Sequence, residues 1–173
     1  MRKSVTRTLR IDEELDRSIQ EIAADENLTI NSLVNRTLVK LVEWDRPGQK
    51  VGFVSSPSTL LGKLLSDRDG QGCELLGQWA AREVFVPFIE FLFGEVSVPN
   101  VLLLFKRASR YGQFAFGVTG DSGKRVLILK QTLGPNWTSY YGGVMRELFQ
   151  AVLKKKFEIE YASGMVIAKL ETA

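Results

Sequence analysis

Polar and apolar residues alternate one by one at the start of the chain, then recur every third or fourth position. The run Val5-Thr6-Arg7-Thr8-Leu9-Arg10 predicts a short strand from about Ser4 to Arg10, because successive side chains of a strand face opposite ways. Thr6, Thr8 and Arg10 then share one face, while Val5, Arg7, Leu9 and the following Ile11 share the other. A lone strand leaves its backbone N–H and C=O groups unpaired. No nearby segment offers a second strand, so the expected partner is another copy of the same chain.

The spacing changes at Asp12, a good N-cap followed by Glu13 and Glu14 where acidic charge suits the positive helix end. Leu15, Ile19, Ile22 and Ala23 form an apolar stripe at helical spacing, and Asn27 suits the end of that helix. Thr29 is placed to cap a second helix with the stripe Ile30, Leu33, Val34, Leu38, Leu41 and Val42. Two helices this short bury too little to be stable alone. Paired with a second copy, four helices close a shared core.

Proline and glycine in Asp45-Arg46-Pro47-Gly48-Gln49-Lys50 predict a break there. Residues 1–45 form one domain in this reading, 46–52 a linker and 53–173 a second domain. The second domain reads as helix from about Ser58 to Leu65, then a longer helical stretch from Cys73 to Phe93 that Pro87 kinks, then helix from Asn100 to Arg110. The apolar run Val84 to Phe93 suggests burial and is far shorter than the roughly 20 residues of a membrane span. Gln113 to Thr119 and Arg125 to Lys130 read as a hairpin. Asn136 or Thr138 is placed to cap a helix reaching about Lys155. A hairpin of Phe157 to Ala162 and Met165 to Leu170 closes the chain. This order predicts an α+β fold with antiparallel hairpins covered on one face by helices.

Composition narrows the chemistry. There is no histidine among the 173 residues, which excludes a histidine general base, a Ser-His-Asp arrangement and histidine metal ligation. Cys73 is the single cysteine, so no intrachain disulfide or multi-cysteine zinc site can form. Its simplest role is a small core residue. Gly117-x-x-Gly120-x-x-Gly123 lacks the helix-opening lysine of a phosphate loop and is better read as a hairpin turn. No enzyme activity, cofactor or metal is expected. No signal peptide or membrane span is read, and a lone cysteine fits the reducing cytoplasm.

Charge is local rather than global. Residues 1–49 carry eight Lys or Arg against nine Asp or Glu, yet residues 2–10 carry four basic groups and no acid. With a Debye length of roughly 8 Å, the local excess is what a polyanion meets. Lys154-Lys155-Lys156 is more simply a solvated helix end favoured by the negative pole than a second nucleic-acid contact. Trp137, Tyr140 and Tyr141 either line a ligand pocket or pack a helix start against the sheet.

The segment Thr6-Arg7-Thr8-Leu9-Arg10-Ile11, the helix start Asp12-Glu13-Glu14-Leu15 and the second opening Thr29-Ile30-Asn31-Ser32-Leu33 together resemble the ribbon-helix-helix DNA-binding domains, the group of the Arc, MetJ and CopG repressors. The resemblance covers residues 4–44. It implies an intertwined homodimer whose two-stranded ribbon enters the major groove of double-stranded DNA. Thr6, Thr8 and Arg10 are then the base-contacting candidates, since Arg bonds guanine bidentately and Thr meets bases or the thymine methyl. Arg2, Lys3, Thr29, Asn31 and Ser32 are the phosphate-contacting candidates, the last three at a helix N-terminus that attracts anions. The missing histidine removes the nickel site known in one branch of that family.

Gly134-Pro135-Asn136-Trp137-Thr138-Ser139-Tyr140-Tyr141-Gly142-Gly143, followed by a helix and a hairpin, is similar to small-molecule-binding regulatory domains of the vinyl-reductase type. The cysteine and histidine ligands that members of that group can carry have no counterpart here. The resulting expectation is a DNA-binding transcriptional regulator, a repressor in its simplest form. Its C-terminal domain senses an effector or builds a tetramer from dimers. A DNA-binding antitoxin is the alternative, although its toxin-neutralising tail would be shorter than this folded-looking region. An enzyme with accessory DNA binding is a third reading, disfavoured by the absent histidine.

Overall fold

A computed structural model describes residues 5–121 and 123–171. The chain divides into two compact units, Met1–Arg46 and Pro47–Ala173. In the first, helix α1 spans Glu13–Asp25, and the Asp12 carboxylate accepts the Leu15 N–H at 2.8 Å. It stops where Asn27 turns to φ 54° and the Leu28 N–H reaches back to the Ala23 carbonyl at 2.8 Å. Asparagine tolerates that left-handed conformation better than most residues.

Helix α2 spans Ile30–Lys40, with the Thr29 hydroxyl accepting the Ser32 N–H at 3.1 Å. The Arg36 guanidinium pairs with the Glu26 carboxylate at the end of α1. A wide π turn over Leu41–Asp45 follows, and the Arg46 N–H bonds the Leu41 carbonyl five residues back. Helix α3, Arg46–Lys50, occupies the start of the expected linker. Pro47 is no obstacle in its first turn, where a missing N–H costs little.

Val5 to Asp12 carry no regular secondary structure, so the expected strand is absent from the single chain over its described part. The reason is the one that called for a partner: strand backbone groups need a neighbour to bond, and one chain supplies none. Among the described apolar residues of this unit, only Ala23 and Leu33 are buried.

In the larger unit, α4 (Ser58–Leu64) precedes α5 (Gly70–Ala80). The Asp69 carboxylate caps α5 by accepting the Gly72 N–H at 2.6 Å. The expected helical stretch from Cys73 to Phe93 is present as α5, continued through a π turn over Ala81–Phe85 into α6 (Val86–Phe93). The wide turn lies just ahead of Pro87, whose ring and missing N–H disrupt tight helical bonding. Helix α7 spans Val98–Tyr111.

Strand β1 (Phe114–Gly120) and β2 (Lys124–Gln131) form the first hairpin, β3 (Phe157–Ala162) and β4 (Met165–Glu171) the second. The sheet is antiparallel in the order β1-β2-β4-β3, with Leu127 opposite Ala168 and Leu129 opposite Val166 at its centre. Between the hairpins lies α8 (Pro135–Arg146), continued by a π turn over Glu147–Val152. Asn136 and Thr138 lie inside α8 rather than capping it.

Leu127, Leu129, Val166, Ala168 and Leu170 on one sheet face are almost fully buried, as are Val144, Met145, Leu148 and Phe149 on the helical side. Phe105 of α7 extends this core, with ring centroids 6.5 Å from Phe85 and 5.1 Å from Phe116. The closest helical packing is α5 on α8, where Gly77 and Gly143 bring backbone against backbone. A Cβ on Gly77 would overlap the Tyr140 carbonyl, and one on Gly143 the Glu74 carbonyl. Buried Gln131 is fully used. Its amide donates to the Gly134 carbonyl at 2.8 Å and the Thr138 hydroxyl at 2.7 Å, and its oxygen accepts the Leu133 N–H at 2.6 Å.

Candidate functional site

The predicted nucleic-acid face lies in the first unit. Thr6, Thr8 and Arg10 are all exposed, and Arg10 makes no ion pair among the described residues. Arg2 and Lys3 fall outside the described residues. Thr29 and Ser32 act as a helix cap, with the Thr29 hydroxyl donating to the Ser32 hydroxyl at 2.9 Å. Asn31 stays near the helix start, accepting from the Asn35 amide through its carbonyl at 2.9 Å and its side chain at 3.2 Å. All three are exposed, and the Ser32 N–H is already taken by the Thr29 hydroxyl.

The same unit presents an apolar stripe. Leu9 is 66 % exposed, Ile22 47 % and Val42 70 %, and Ile11, Leu15, Ile30 and Leu38 are exposed with them. These are the residues whose spacing predicted a shared core.

The aromatic cluster of the larger unit separates into two roles. Tyr141 is buried, its ring 5.2 Å from Phe114 of the sheet. Trp137 and Tyr140, with centroids 5.1 Å apart, face outward into a groove of about 390 Å³ between α4, α5 and α8. Its opposite wall is Leu64, Leu76, Trp79 and Val84, with Arg68 on the rim. Burial pushes the Tyr140 hydroxyl up to about 12, so it lines the groove as a neutral phenol.

Polar contacts between distant segments hold the elements that line the groove. The Asn136 amide donates to the Leu65 carbonyl at 2.7 Å and the Arg68 carbonyl at 2.8 Å. The Trp137 indole N–H donates to the Leu61 carbonyl at 2.7 Å. Together they pin the end of α4 and the following turn to the first turn of α8. Replacing Asn136 with Ala removes both bonds, leaving the Leu65 carbonyl with the Arg68 N–H at 3.2 Å and the Arg68 carbonyl to solvent. The expected loss is about 1–3 kcal/mol of unfolding free energy, measured by urea denaturation. A change below about 0.5 kcal/mol, the range of an ordinary surface substitution, would show that the clamp is not structural.

Arg68 and Trp79 were not singled out by sequence as groove residues. The spacing of Leu76, Trp79 and Ala80 was the available signal, since it places them on one side of a helix. Arg68 sits in an irregular turn that offers no such periodicity. A second hollow of about 510 Å³ is lined by Gln131, Thr138, Tyr161, Ser163 and Gly164 among others, and its buried amide is already paired.

Two ion pairs stiffen the surroundings: Arg146 to Glu74 at 2.8 Å and Arg82 to the buried Glu147 at 2.6 Å. Both arginines link α5 or its π turn to α8 or its own. Among the described residues no group of three or more Cys, Asp or Glu side chains is placed to hold a metal ion, and no single helix is long and apolar enough to cross a membrane. The chain matches no family model and no curated protein.

Proposed function

We propose that this protein is a sequence-specific DNA-binding transcriptional regulator that works as a homodimer of the ribbon-helix-helix type, its larger unit sensing an effector. The observation that carries this reading is the unburied stripe Leu9, Ile11, Leu15, Ile22, Ile30, Leu38 and Val42. Among its described residues the unit buries only Ala23 and Leu33, too few for a core of its own. A second copy supplies both what the stripe needs and a strand to pair with residues 5–11.

Pairing in that way turns Leu9 and Ile11 inward and leaves Thr6, Thr8 and Arg10 on the outer face of a two-stranded ribbon. Such a ribbon fits the major groove, and these are residue types that read base edges there. The solvent-facing start of α2 supplies a complementary phosphate site. A two-fold dimer reads a palindromic or repeated operator.

The test is selection of DNA fragments by the purified full-length protein, with sedimentation to establish the dimer. Enrichment of one palindromic or repeated motif is expected, and fragments recovered without a common motif would sink the reading. On the selected operator, Arg10→Ala is expected to weaken binding by about 1–3 kcal/mol and relax specificity at one position. Fluorescence anisotropy measures it, and unchanged affinity would remove Arg10 from the base readers.

A further inference from the structure

The groove between α4, α5 and α8 combines three features that together describe a ligand. Its walls are aromatic on one side, with Trp137 and Tyr140, and mostly aliphatic on the other, with Leu64 and Val84 beside Trp79. Trp79 is 56 % exposed and Leu64 59 %, so the lips are apolar surface that water covers when the groove is open. Burial of such surface is favourable by roughly 25 cal/mol per Å², and flat rings add offset or edge-to-face contacts with tryptophan and tyrosine.

The third feature is a single cation. Arg68 lines the groove and pairs with no carboxylate among the described residues. Its neighbours in sequence are already engaged: Asp67 accepts from Lys63 at 3.3 Å and from Ser66 at 3.1 Å, and Asp69 caps α5. The Arg68 backbone is fixed on both sides, its N–H on the Leu65 carbonyl at 3.2 Å and its carbonyl on Asn136 at 2.8 Å. An arginine anchored this way and left without a counter-ion suits a carboxylate, which a guanidinium binds through parallel hydrogen bonds. No acidic side chain lines the groove to repel it.

We infer that this groove binds an aromatic carboxylate, the ring system lying between Trp79, Trp137 and Tyr140 and the carboxylate on Arg68. A volume of about 390 Å³ lies at the lower end of small-molecule sites, which suits one or two fused rings. The inference rests on the reading of the larger unit as effector-sensing and names the class of effector. The clamp of Asn136 and the Trp137 indole holds the walls in place before the ligand arrives, which reduces the ordering cost of binding.

Isothermal titration calorimetry of the full chain with 2-naphthoate tests it. Saturable binding at one site per chain is expected. Binding should weaken at least tenfold in Arg68→Gln, at least tenfold in Trp79→Ala, and at least tenfold when the neutral 2-naphthalenemethanol replaces the acid. Octanoate, which carries the charge without the rings, should also bind at least tenfold more weakly. No saturable heat at millimolar naphthoate, equal affinity in Arg68→Gln, or octanoate binding as tightly as naphthoate would each overturn the inference. The neutral-ligand arm needs no mutant, so it stands even where a variant is unstable. DNA binding is measured separately by anisotropy. Operator binding without naphthoate binding removes this inference alone, and naphthoate binding without operator binding removes the regulatory reading alone.

Discussion

Gly143→Val should destabilise the larger unit by about 3 kcal/mol or more. Gly143 lies where α8 crosses α5, and any Cβ there overlaps the Glu74 carbonyl, a backbone atom of the facing helix. A flexible side chain could move aside, but a helical carbonyl cannot without displacing α5. Gly77 repeats the constraint from the other helix, against the Tyr140 carbonyl. Overpacking of a core ordinarily costs about 1–3 kcal/mol. Here the pair being separated is the most extensive helix packing of the unit, so the upper end of that range or beyond is expected. Against a typical total of about 5–15 kcal/mol, this is a large fraction. Thermal and urea denaturation followed by circular dichroism read the loss. A Gly143→Val protein with wild-type midpoint would show that the two helices are not locked at this crossing.

Ile22→Glu should convert the protein to monomers and abolish operator binding while leaving the larger unit folded. Ile22 lies on the exposed stripe of α1 at 47 % exposure. In a single chain a glutamate there faces water and changes little. In a dimer it places a charge in a shared apolar core from both copies, and unpaired buried charges are strongly disfavoured. A ribbon cannot form without the partner strand, so operator affinity should fall at least a hundredfold, about 2.7 kcal/mol. Sedimentation velocity and anisotropy measure the two consequences together. A dimeric Ile22→Glu protein with unaltered operator affinity would refute the placement of this stripe at the dimer core.

The local chemistry of the chain was readable where it depends on neighbours in sequence. Asp12 and Thr29 cap the helices their side chains suggested, and the two hairpins lie within a residue or so of the alternating runs that predicted them. Features set by distant partners were not readable. Asn136 looks like a helix cap in sequence, yet its amide is spent on carbonyls about 70 residues away. The sheet order that places β2 beside β4 leaves no trace in either strand's pattern. The groove draws on a turn, three helices and residues from Leu64 to Tyr140, and only its α8 wall was foreseen. At the N-terminus the limit is of another kind. Residues 5–11 alternate as a strand does, but strand structure belongs to a pair, and one chain holds only half of it.

The wide turns within the helical segments carry a consequence for how this chain can change over generations. Each carries hydrogen bonds reaching five residues back instead of four, which amounts to one extra residue carried inside an otherwise regular helix. Elsewhere in a helix, losing a residue rotates everything downstream by about 100°, as 3.6 residues per turn requires. Within Ala81–Phe85 the loss of one residue relaxes the turn to ordinary winding and keeps the later apolar positions on their original side. These turns are therefore the places where the loss of one residue leaves the phase of the following helix intact.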